Sequence, residues 1–314
     1  METNISSPFH YICSKKADMR LIYGFTIIFI LLLFKINVCF PNNLEKELLL
    51  LTKNLNATVG VAVIKGDQTI ALLNNHVHYP LMSVFKYHVA VAVLHKMAEQ
   101  KRQLEDSLLI QPEEFRENTY SPLRNTLHPQ KPFKLPFSTL LYYSIALSDN
   151  NACDILIRYL GGIDKVQQLM NHIGIANVQL TETENDMHEH LLNCYKNWST
   201  PLSMAHCLKI IYEGNTLNNK YKQFLFNTML NTATGMDKIK AGLPAGIPVA
   251  HKTGSSDRLP SGIMIGDNDV AIIHPHSTNR YYLVVFIKDS RETTQENHEI
   301  IAQISHIVYQ HCAR

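Results

Sequence analysis

The feature that most restricts the fold of this 314-residue chain is the placement of its strand-like segments, which lie towards both ends. Five segments are rich in β-branched and aliphatic residues and are bounded by turn residues: 57–65, 68–73, 248–253, 262–273 and 280–288. Gly66 and Asp67 join the first two and form a hairpin signal. We therefore predict an α/β (α+β) fold class, with one antiparallel sheet built from both ends of the chain and flanked by helices.

Helical spacing of apolar residues marks the remaining segments. A helix should begin at or near Ser83 and run to about residue 100. The other predicted helices are 44–55, 138–146, 150–159, 163–173, 201–212, 220–230 and 293–310. We predict a sheet lobe formed by 44–79 and 226–314 and an all-helical lobe formed by 80–225. A cleft between two such lobes is a common place for a small-molecule site.

The first 40 residues have the composition of a targeting segment. Lys15, Lys16 and Arg20 precede a largely apolar run at 21–34. A positive flank before such a run predicts a secretory signal peptide, and the run is short for a membrane-spanning helix. The alternatives are an uncleaved N-terminal anchor and lipid attachment at Cys39. We expect an exported, periplasmic protein that could contact a membrane only through this segment.

The composition of the body beyond residue 40 disfavours several classes of function. Acidic and basic residues balance, and no basic cluster is longer than Lys101-Arg102, so we expect no nucleic-acid partner. The cysteines form no Cys-x-x-Cys pair, and the paired histidines do not extend into a metal-ligand motif. We expect no metal, no organic cofactor and a monomer, with mostly buried free thiols and one disulfide as the alternative.

Ser83 and Lys86 form a Ser-x-x-Lys string at the start of a predicted helix. Residues three apart on a helix share a face, so the two side chains can touch. A serine hydroxyl becomes a good nucleophile when a base takes its proton, and a lysine can be that base when burial and nearby cations lower its pKa. The helix N-terminus adds N–H groups for a developing oxyanion. The alternative is a serine cap followed by a surface lysine.

A second string, Ser148-Asp149-Asn150, precedes another predicted helix. In a functional site, Ser148 would relay a proton to a departing nitrogen. Asn150 would orient Lys86 and bind a substrate amide. The alternative is a cluster of helix-capping residues, and Asp149 suits that role in either case.

A third string, Lys252-Thr253-Gly254-Ser255, ends a predicted strand. Lys252 offers a positive charge to a substrate carboxylate, with Thr253 and Ser255 as hydroxyl donors, and Gly254 allows close approach to the backbone. The backbone N–H groups of Ser255 and Ser83 could form an oxyanion hole. The alternative is an edge strand with an exposed lysine.

The three strings, in this order, resemble the signature of class A β-lactamases and penicillin-binding proteins. The resemblance covers most of residues 44–314 and is nearest to the class A serine β-lactamases, in a broad-spectrum, cephalosporinase-leaning subgroup. It implies a β-lactamase/transpeptidase-like fold and hydrolysis of the cyclic amide of penicillins or cephalosporins. It also implies a nucleophile at Ser83, proton transfer through Lys86 and Ser148, and substrate binding by Asn150, Lys252, Thr253 and Ser255.

Deacylation by class A enzymes uses a glutamate in a Glu-x-x-Leu-Asn pattern, which residues 184–188 fit at the glutamate and at the apolar fourth position, Met187. The resemblance therefore implies that Glu184 activates the water that releases Ser83. The chain departs from the pattern at His188, where the family has asparagine, although an imidazole also hydrogen-bonds to water. Glu182 is the alternative base, and a plain acidic surface loop is the alternative for the segment.

Three rival functions share the strings. A D-Ala-D-Ala carboxypeptidase or transpeptidase does not require Glu184, and a non-hydrolysing β-lactam sensor would stop at the acyl-enzyme. A catalytically inactive binding protein would not react at all. Repeated turnover of a β-lactam would indicate the hydrolase. A single stable adduct on Ser83 would indicate the peptidase or the sensor, and no reaction would indicate the inactive binding protein.

Overall fold

The computed structural model describes residues 42–128, 130–274 and 277–313, together with Met1. Residues 42–314 cluster into one compact unit, distinct from residues 1–41. The signal peptide or anchor predicted at 1–40, and with it Cys39, lies outside the described residues except for Met1. Within the described ranges, no helix has both the length and the apolar composition needed to cross a membrane.

A five-stranded antiparallel sheet organises the described chain. Its strands are β1 (Thr58–Lys65), β2 (Gln68–Leu73), β8 (Val249–Ser255), β9 (Met264–Ile273) and β10 (Tyr281–Ser290). They lie in the order β2-β1-β10-β9-β8, so β1 and β10 bring the two ends of the chain together inside the sheet. This order confirms the predicted antiparallel sheet built from both chain ends and the α/β fold class. It also leaves β8 at an edge, where one side of the strand can face a ligand.

The helices account for most of the remaining described chain. They are α1 (Asn43–Thr52), α2 (Phe85–Glu99), α3 (Pro122–Leu127), α4 (Phe137–Ala146), α5 (Asn150–Leu160), α6 (Ile163–His172), α7 (Glu184–Glu189), α8 (Pro201–Glu213), α9 (Asn219–Leu230) and α10 (Thr294–Cys312). Each of the eight helices predicted from the sequence is present, with its ends displaced by at most three residues. The division into two lobes stays a prediction, and its boundary between 225 and 226 falls inside α9.

Several short elements were not predicted. These are α3, α7 and the strands β3 (Tyr79–Pro80), β4 (Ser107–Ile110), β5 (Phe133–Pro136), β6 (Val178–Gln179) and β7 (Trp198–Ser199). Strands β3, β7 and β6 form one small sheet, and β4 pairs with β5. Segments of two to six residues contain too few periods for a hydrophobic pattern to identify them.

The main sheet separates two apolar clusters. Alternate residues of β1 point to opposite faces, so Val61 and Val63 join the cluster covered by α1 and α10, whereas Ala62 and Ile64 join the larger cluster with the central helices. Helix α8 packs on β1 and β10 within that larger cluster. The sheet, with its edge strand β8, therefore lies between two layers of helices.

The cysteines of the described body are buried and free, as predicted. They are Cys153, Cys194, Cys207 and Cys312.

Candidate active site

Ser83 lies in a single 3-10 turn, Met82–Val84, that leads directly into α2. The predicted helix start near Ser83 is therefore correct to within two residues. Met82 adopts a left-handed backbone with φ 48°, which is uncommon for a residue with a side chain and is typical of functional sites. Lys86 follows in the first turn of α2 and is fully buried. The helical spacing places its ammonium against the Ser83 hydroxyl.

The Lys86 ammonium is surrounded by oxygen atoms from three separate parts of the chain. Its Nζ lies 2.9 Å from Ser83 Oγ and 2.9 Å from Glu184 Oε1. It also donates to the Ser148 carbonyl at 2.7 Å and to Asn150 Oδ1 at 2.6 Å. An ammonium has three protons and accepts no hydrogen bond. Lys86 can therefore donate to only three of these four oxygens at one time.

The Ser148 string forms the end of a loop at the start of α5. Ser148 has a left-handed backbone, with φ 57°, and its hydroxyl accepts a hydrogen bond from Lys252 Nζ at 2.9 Å. Asp149 caps α5 by accepting from the Ala152 N–H at 2.8 Å, which is the capping role that the sequence predicted for it. The cap fixes the loop so that Ser148 faces the two lysines.

Edge strand β8 carries the third string. Lys252 is fully buried, and burial together with the nearby charge of Lys86 lowers the pKa of its ammonium well below the usual value. A Cβ atom on Gly254 would lie 2.7 Å from the Leu81 carbonyl oxygen and 2.8 Å from the Ser83 backbone nitrogen. Glycine is therefore needed where β8 passes the turn that carries Ser83. Because Gly254 has no side chain, β8 can approach this turn closely, which brings Ser255 near Ser83.

Glu184 begins α7, and the Thr183 hydroxyl caps that helix. Its carboxylate faces both members of the first string, since Oε1 lies 3.5 Å from Ser83 Oγ as well as 2.9 Å from Lys86 Nζ. The Glu182 carboxylate instead contacts Lys196 Nζ at 3.2 Å. Of the two candidate bases, the structure brings only Glu184 to the Ser83–Lys86 pair.

Two residues that the sequence analysis missed hold the Glu184 loop. Asp154 on α5 accepts the backbone N–H of Glu184 at 2.9 Å and that of Asn185 at 3.0 Å. Burial and the charge of Glu184 raise the pKa of Asp154 to about 7. Asn197 is fully buried and makes three backbone hydrogen bonds to the same loop, at Thr181 and Glu182. Both act over more than ten residues of sequence, so no local pattern signalled them.

Several of the proposed site residues line one opening, and Glu184 lines a second, smaller one. A cavity of about 620 Å³ is lined by Ser83, Glu117, Asn118, Thr119, Tyr120, Ser148, Asn150, His188, Thr234, Thr253, Gly254, Ser255 and Asp257. A smaller cavity of about 110 Å³ joins Ser83 to Glu184 and His188, and a volume of this size can hold a water molecule. His188, the departure from the expected asparagine, therefore faces both cavities.

Comparison with known proteins identifies the class to which this arrangement belongs. The model of the β-lactamase enzyme family matches residues 43–312. A β-lactamase of Bacteroides uniformis is 43% identical over 269 residues, which cover 85% of this chain and 90% of that protein. The extended-spectrum β-lactamase PER-1 of Pseudomonas aeruginosa is 34% identical over 255 residues, covering 81% of this chain and 82% of that one.

Solved structures give the same result. A class A β-lactamase from Bacteroides cellulosilyticus DSM 14838 has a TM-score of 0.82 and 44% identity, covering 85% of this chain and 96% of that one. The extended-spectrum β-lactamase TLA-3 has a TM-score of 0.83 and 35% identity, covering 86% and 98%. The chain therefore belongs to the β-lactamase enzyme family, and its class is A. This confirms the resemblance and the enzyme class inferred from the three motifs.

Proposed function

We propose that this β-lactamase hydrolyses its substrates through an acyl-enzyme on Ser83, which Glu184 then clears by activating water. The observation that carries the proposal is the position of one ammonium, Lys86 Nζ, at 2.9 Å from both Ser83 Oγ and Glu184 Oε1. A nucleophile and a base joined in this way can exchange a proton without moving.

In the acylation step, Ser83 Oγ attacks the carbonyl carbon of the β-lactam, and Lys86 and Glu184 share the role of the base that takes its proton. When Lys86 is an ammonium it donates to Ser83 Oγ and stabilises the developing negative charge while the carboxylate 3.5 Å away accepts the proton. When Lys86 is neutral it accepts the proton itself, and this route remains open in the absence of Glu184. The backbone N–H groups of Ser83 and Ser255 supply the oxyanion hole. Their close approach is supported by the contact distances that would exclude a side chain at Gly254.

The carbon–nitrogen bond of the ring then breaks, and Ser148 gives its hydroxyl proton to the departing nitrogen. Lys252 Nζ lies 2.9 Å from Ser148 Oγ and Lys86 Nζ lies 3.4 Å from it. Two ammonium groups at this distance lower the cost of the transient serine alkoxide, and Lys86 can return a proton to it. Lys86 then takes the proton that Glu184 accepted, across the 2.9 Å contact between Lys86 Nζ and Glu184 Oε1, so that Glu184 is a carboxylate again before deacylation. Ser148 is therefore the proton donor, with Lys86 as its supply.

The substrate is held on both sides of the nucleophile. Asn150 Nδ2 donates to Thr119 Oγ1 at 2.8 Å while its Oδ1 accepts from Lys86, which fixes the amide beside the cavity for the substrate's acylamide. Lys252, Thr253 and Ser255 bind the substrate carboxylate from β8. We infer a preference for cephalosporins with a broad range of side chains.

In the deacylation step, Glu184 removes a proton from a water in the small cavity, and that water attacks the acyl carbon. The ester bond between the acyl carbon and Ser83 Oγ breaks, and Glu184 returns the proton it took from the water to Ser83 Oγ, which restores the enzyme. His188 lines the same cavity as Glu184 and Ser83 and orients the water through a ring nitrogen. This step separates a hydrolase from the peptidase and sensor that share the three motifs.

A chromogenic cephalosporin tests the proposal. We expect the purified full-length chain to turn over repeatedly, and Glu184→Gln to acylate on Ser83 and hold the adduct, with deacylation slowed by about 10²–10⁴-fold. Intact-mass spectrometry detects the adduct. The matched control is Glu182→Gln, which changes the neighbouring carboxylate that faces Lys196. Rapid deacylation in Glu184→Gln, or a stalled adduct in Glu182→Gln, would move the base to another residue.

We further propose that the chain is exported to the periplasm and acts as a monomer. The support is the charged and apolar pattern of residues 1–40 and the presence of all proposed catalytic groups in one chain. Fractionation of an expressing bacterium and light scattering of the purified protein test the two statements. Activity confined to the cytoplasm, or a concentration-independent dimer mass, would contradict them.

A further inference from the structure

A third buried lysine lies beside the proposed site without a role in the reaction steps above. Lys238 is 2% exposed, and its Nζ donates to Ser255 Oγ at 2.9 Å and to Asp267 Oδ1 at 2.5 Å. Asp267 is on β9 directly opposite Ser255 on β8. This buried ion pair contacts the Ser255 hydroxyl, so it affects whether that hydroxyl can donate a hydrogen bond to a substrate carboxylate.

The Ser255 hydroxyl proton is already committed. Ser255 Oγ donates to Asp267 Oδ1 at 2.7 Å, while Lys238 donates to the oxygen of the same hydroxyl. A serine has one hydroxyl proton. Ser255 therefore cannot donate to a substrate carboxylate while it donates to Asp267, and binding requires the proton to turn outwards.

Whether Asp267 can release that proton depends on its second oxygen. Asp267 Oδ2 lies 3.3 Å from His298 Nε2 on α10, and the other ring nitrogen of His298 lies 2.6 Å from Asp237 Oδ2. Neither Asp267 Oδ2 nor His298 Nε2 makes a hydrogen bond of good geometry to a residue that the structure describes, so the two atoms face each other only at ion-pair distance. The positive charge of a protonated His298 can thus balance the negative charge on Asp267 Oδ2.

We propose that His298 is a positioning residue that controls substrate-carboxylate binding, because its protonated form satisfies Asp267 and frees the Ser255 hydroxyl to face the substrate. This inference rests on the proposed role of Ser255 in holding the substrate carboxylate. When His298 is neutral, Asp267 keeps the Ser255 proton and the carboxylate loses one donor. The reaction at Ser83 is unaffected, so the effect falls on KM and not on kcat.

The charges that face His298 agree with this direction. Asp267 on β9 and Asp237 before the 3-10 turn Ile239–Gly242 are acidic, and Lys238 from the same segment is basic. The Asp267 carboxylate, 3.3 Å from His298 Nε2, raises the pKa of His298; burial and Lys238 oppose that rise, and Asp237 adds to it. Burial would raise the pKa of Asp267, but His298 and Lys238 lower it overall. The ion pair thus persists to a higher pH than that of an isolated histidine.

The first test is the pH dependence of KM and kcat for benzylpenicillin, compared between the wild type and His298→Gln. Glutamine can donate to Asp267 but carries no charge. We expect KM of the variant to be about threefold to tenfold higher at pH 6, the loss of part of one charge-assisted hydrogen bond, with kcat within twofold. At high pH the two KM values should converge. The control is His306→Gln, which changes another histidine on α10. Any pH dependence of KM that comes from Lys252 should be the same in this control as in the wild type.

Two further measurements distinguish positioning from a structural effect. With the carboxylate of the penicillin converted to its methyl ester, His298→Gln and wild type should have equal KM values, because the group that Ser255 binds is gone. In a Ser255→Ala background, His298→Gln should raise KM no further. A threefold or larger effect that persists in either case would overturn the inference.

Asp237→Asn provides a second variant, since the Asp237 side chain is 66% exposed and its replacement leaves the buried pair in place. We expect the rise of KM with pH to move to lower pH. The pH profiles of KM could instead coincide for Asp237→Asn, His298→Gln and the wild type while the enzyme still turns over through Ser83. That result would refute the role of His298 and leave the proposed function intact. Absence of turnover in the wild type would instead refute the proposed function.

Discussion

Replacement of His88 by leucine should make the stability of the protein less sensitive to acid. His88 lies on α2 two residues after Lys86 and is fully buried. Its ring nitrogens make no hydrogen bond of good geometry to a described residue. Burial lowers the pKa of the imidazole from 6.5 to about 4, with the Phe85 backbone opposing the shift only in part. The native state therefore holds His88 neutral where the unfolded chain takes up a proton.

The size of the effect follows from this difference in pKa. A histidine with a depressed pKa in the folded state contributes stability that is present above 6.5 and is lost as the pH falls towards 4. The loss is about 2 kcal/mol between pH 7 and pH 5 and about 3 kcal/mol by pH 4. Leucine has a similar volume and does not titrate. The free energy of unfolding of the His88→Leu variant therefore lacks the pH-dependent contribution of His88.

Asp154 produces a trend of opposite sign, which makes the wild type alone uninformative. The pKa of this carboxyl is raised to about 7, so its contribution is fully present below 3.8 and is lost as the pH rises towards 7. Subtracting the variant from the wild type at each pH removes the Asp154 contribution, because Asp154 is present in both.

Urea unfolding followed by the fluorescence of Trp198, the one tryptophan of the chain, measures the difference. We expect the stability of wild type minus that of His88→Leu to fall by about 2 kcal/mol from pH 7 to pH 5. His95→Leu, a change of a partly exposed histidine on the same helix, is the control, since water can hydrate its charged form. A difference that stays constant within about 0.5 kcal/mol would show that His88 is not held neutral.

Three other changes test the supports of the site. Gly254→Ala should lower kcat/KM by about 10²-fold, because a Cβ atom would lie 2.8 Å from the Ser83 nitrogen; unchanged steady-state kinetics would contradict this. Asn197→Ala should cost about 1–3 kcal/mol in urea unfolding, because it removes a fully buried side chain that makes three hydrogen bonds to Thr181 and Glu182. Asp154→Asn should slow deacylation about tenfold, since an amide accepts only one of the two loop N–H groups; burst kinetics that match the wild type would exclude this role.

The parts of the site that the sequence predicted are those encoded in local strings. Ser83 and Lys86 needed only a helical spacing, and the structure joins them at 2.9 Å. Glu184 was preferred over Glu182 from a five-residue pattern, and the structure brings Glu184 to the same lysine. Their catalytic roles stay predictions. In each case the residues that define the pattern are neighbours in the sequence, so the pattern can be recognised without knowledge of the fold.

The parts that the sequence did not predict depend on distant pairings. A lysine in a loop is normally solvated, and nothing near Lys238 in the sequence indicates that it meets Asp267, 29 residues later. Asn197 reaches back 15 residues to the loop. Only the register of β8 against β9 and the return of the loop beneath α5 bring these groups together. Long-range polar pairs therefore need the structure.

The three buried lysines of the site differ in how their charge is balanced, and this difference indicates where substrate charge is needed. Lys86 contacts Glu184 and Lys238 contacts Asp267. Lys252 donates only to the neutral oxygens of Ser148 and Thr253, and among the described residues no carboxylate lies within ion-pair distance of it.

An ammonium buried without a counter-charge is destabilised, which is why burial lowers the pKa of Lys252. A substrate carboxylate beside β8 would supply the missing charge and return that pKa towards its usual range. Substrate binding should therefore be accompanied by proton uptake at a pH above the lowered pKa. Calorimetry of the Glu184→Gln variant with benzylpenicillin in buffers of different ionisation enthalpy measures that uptake. Equal heats in all buffers across the alkaline range would show that Lys252 keeps its proton without the substrate.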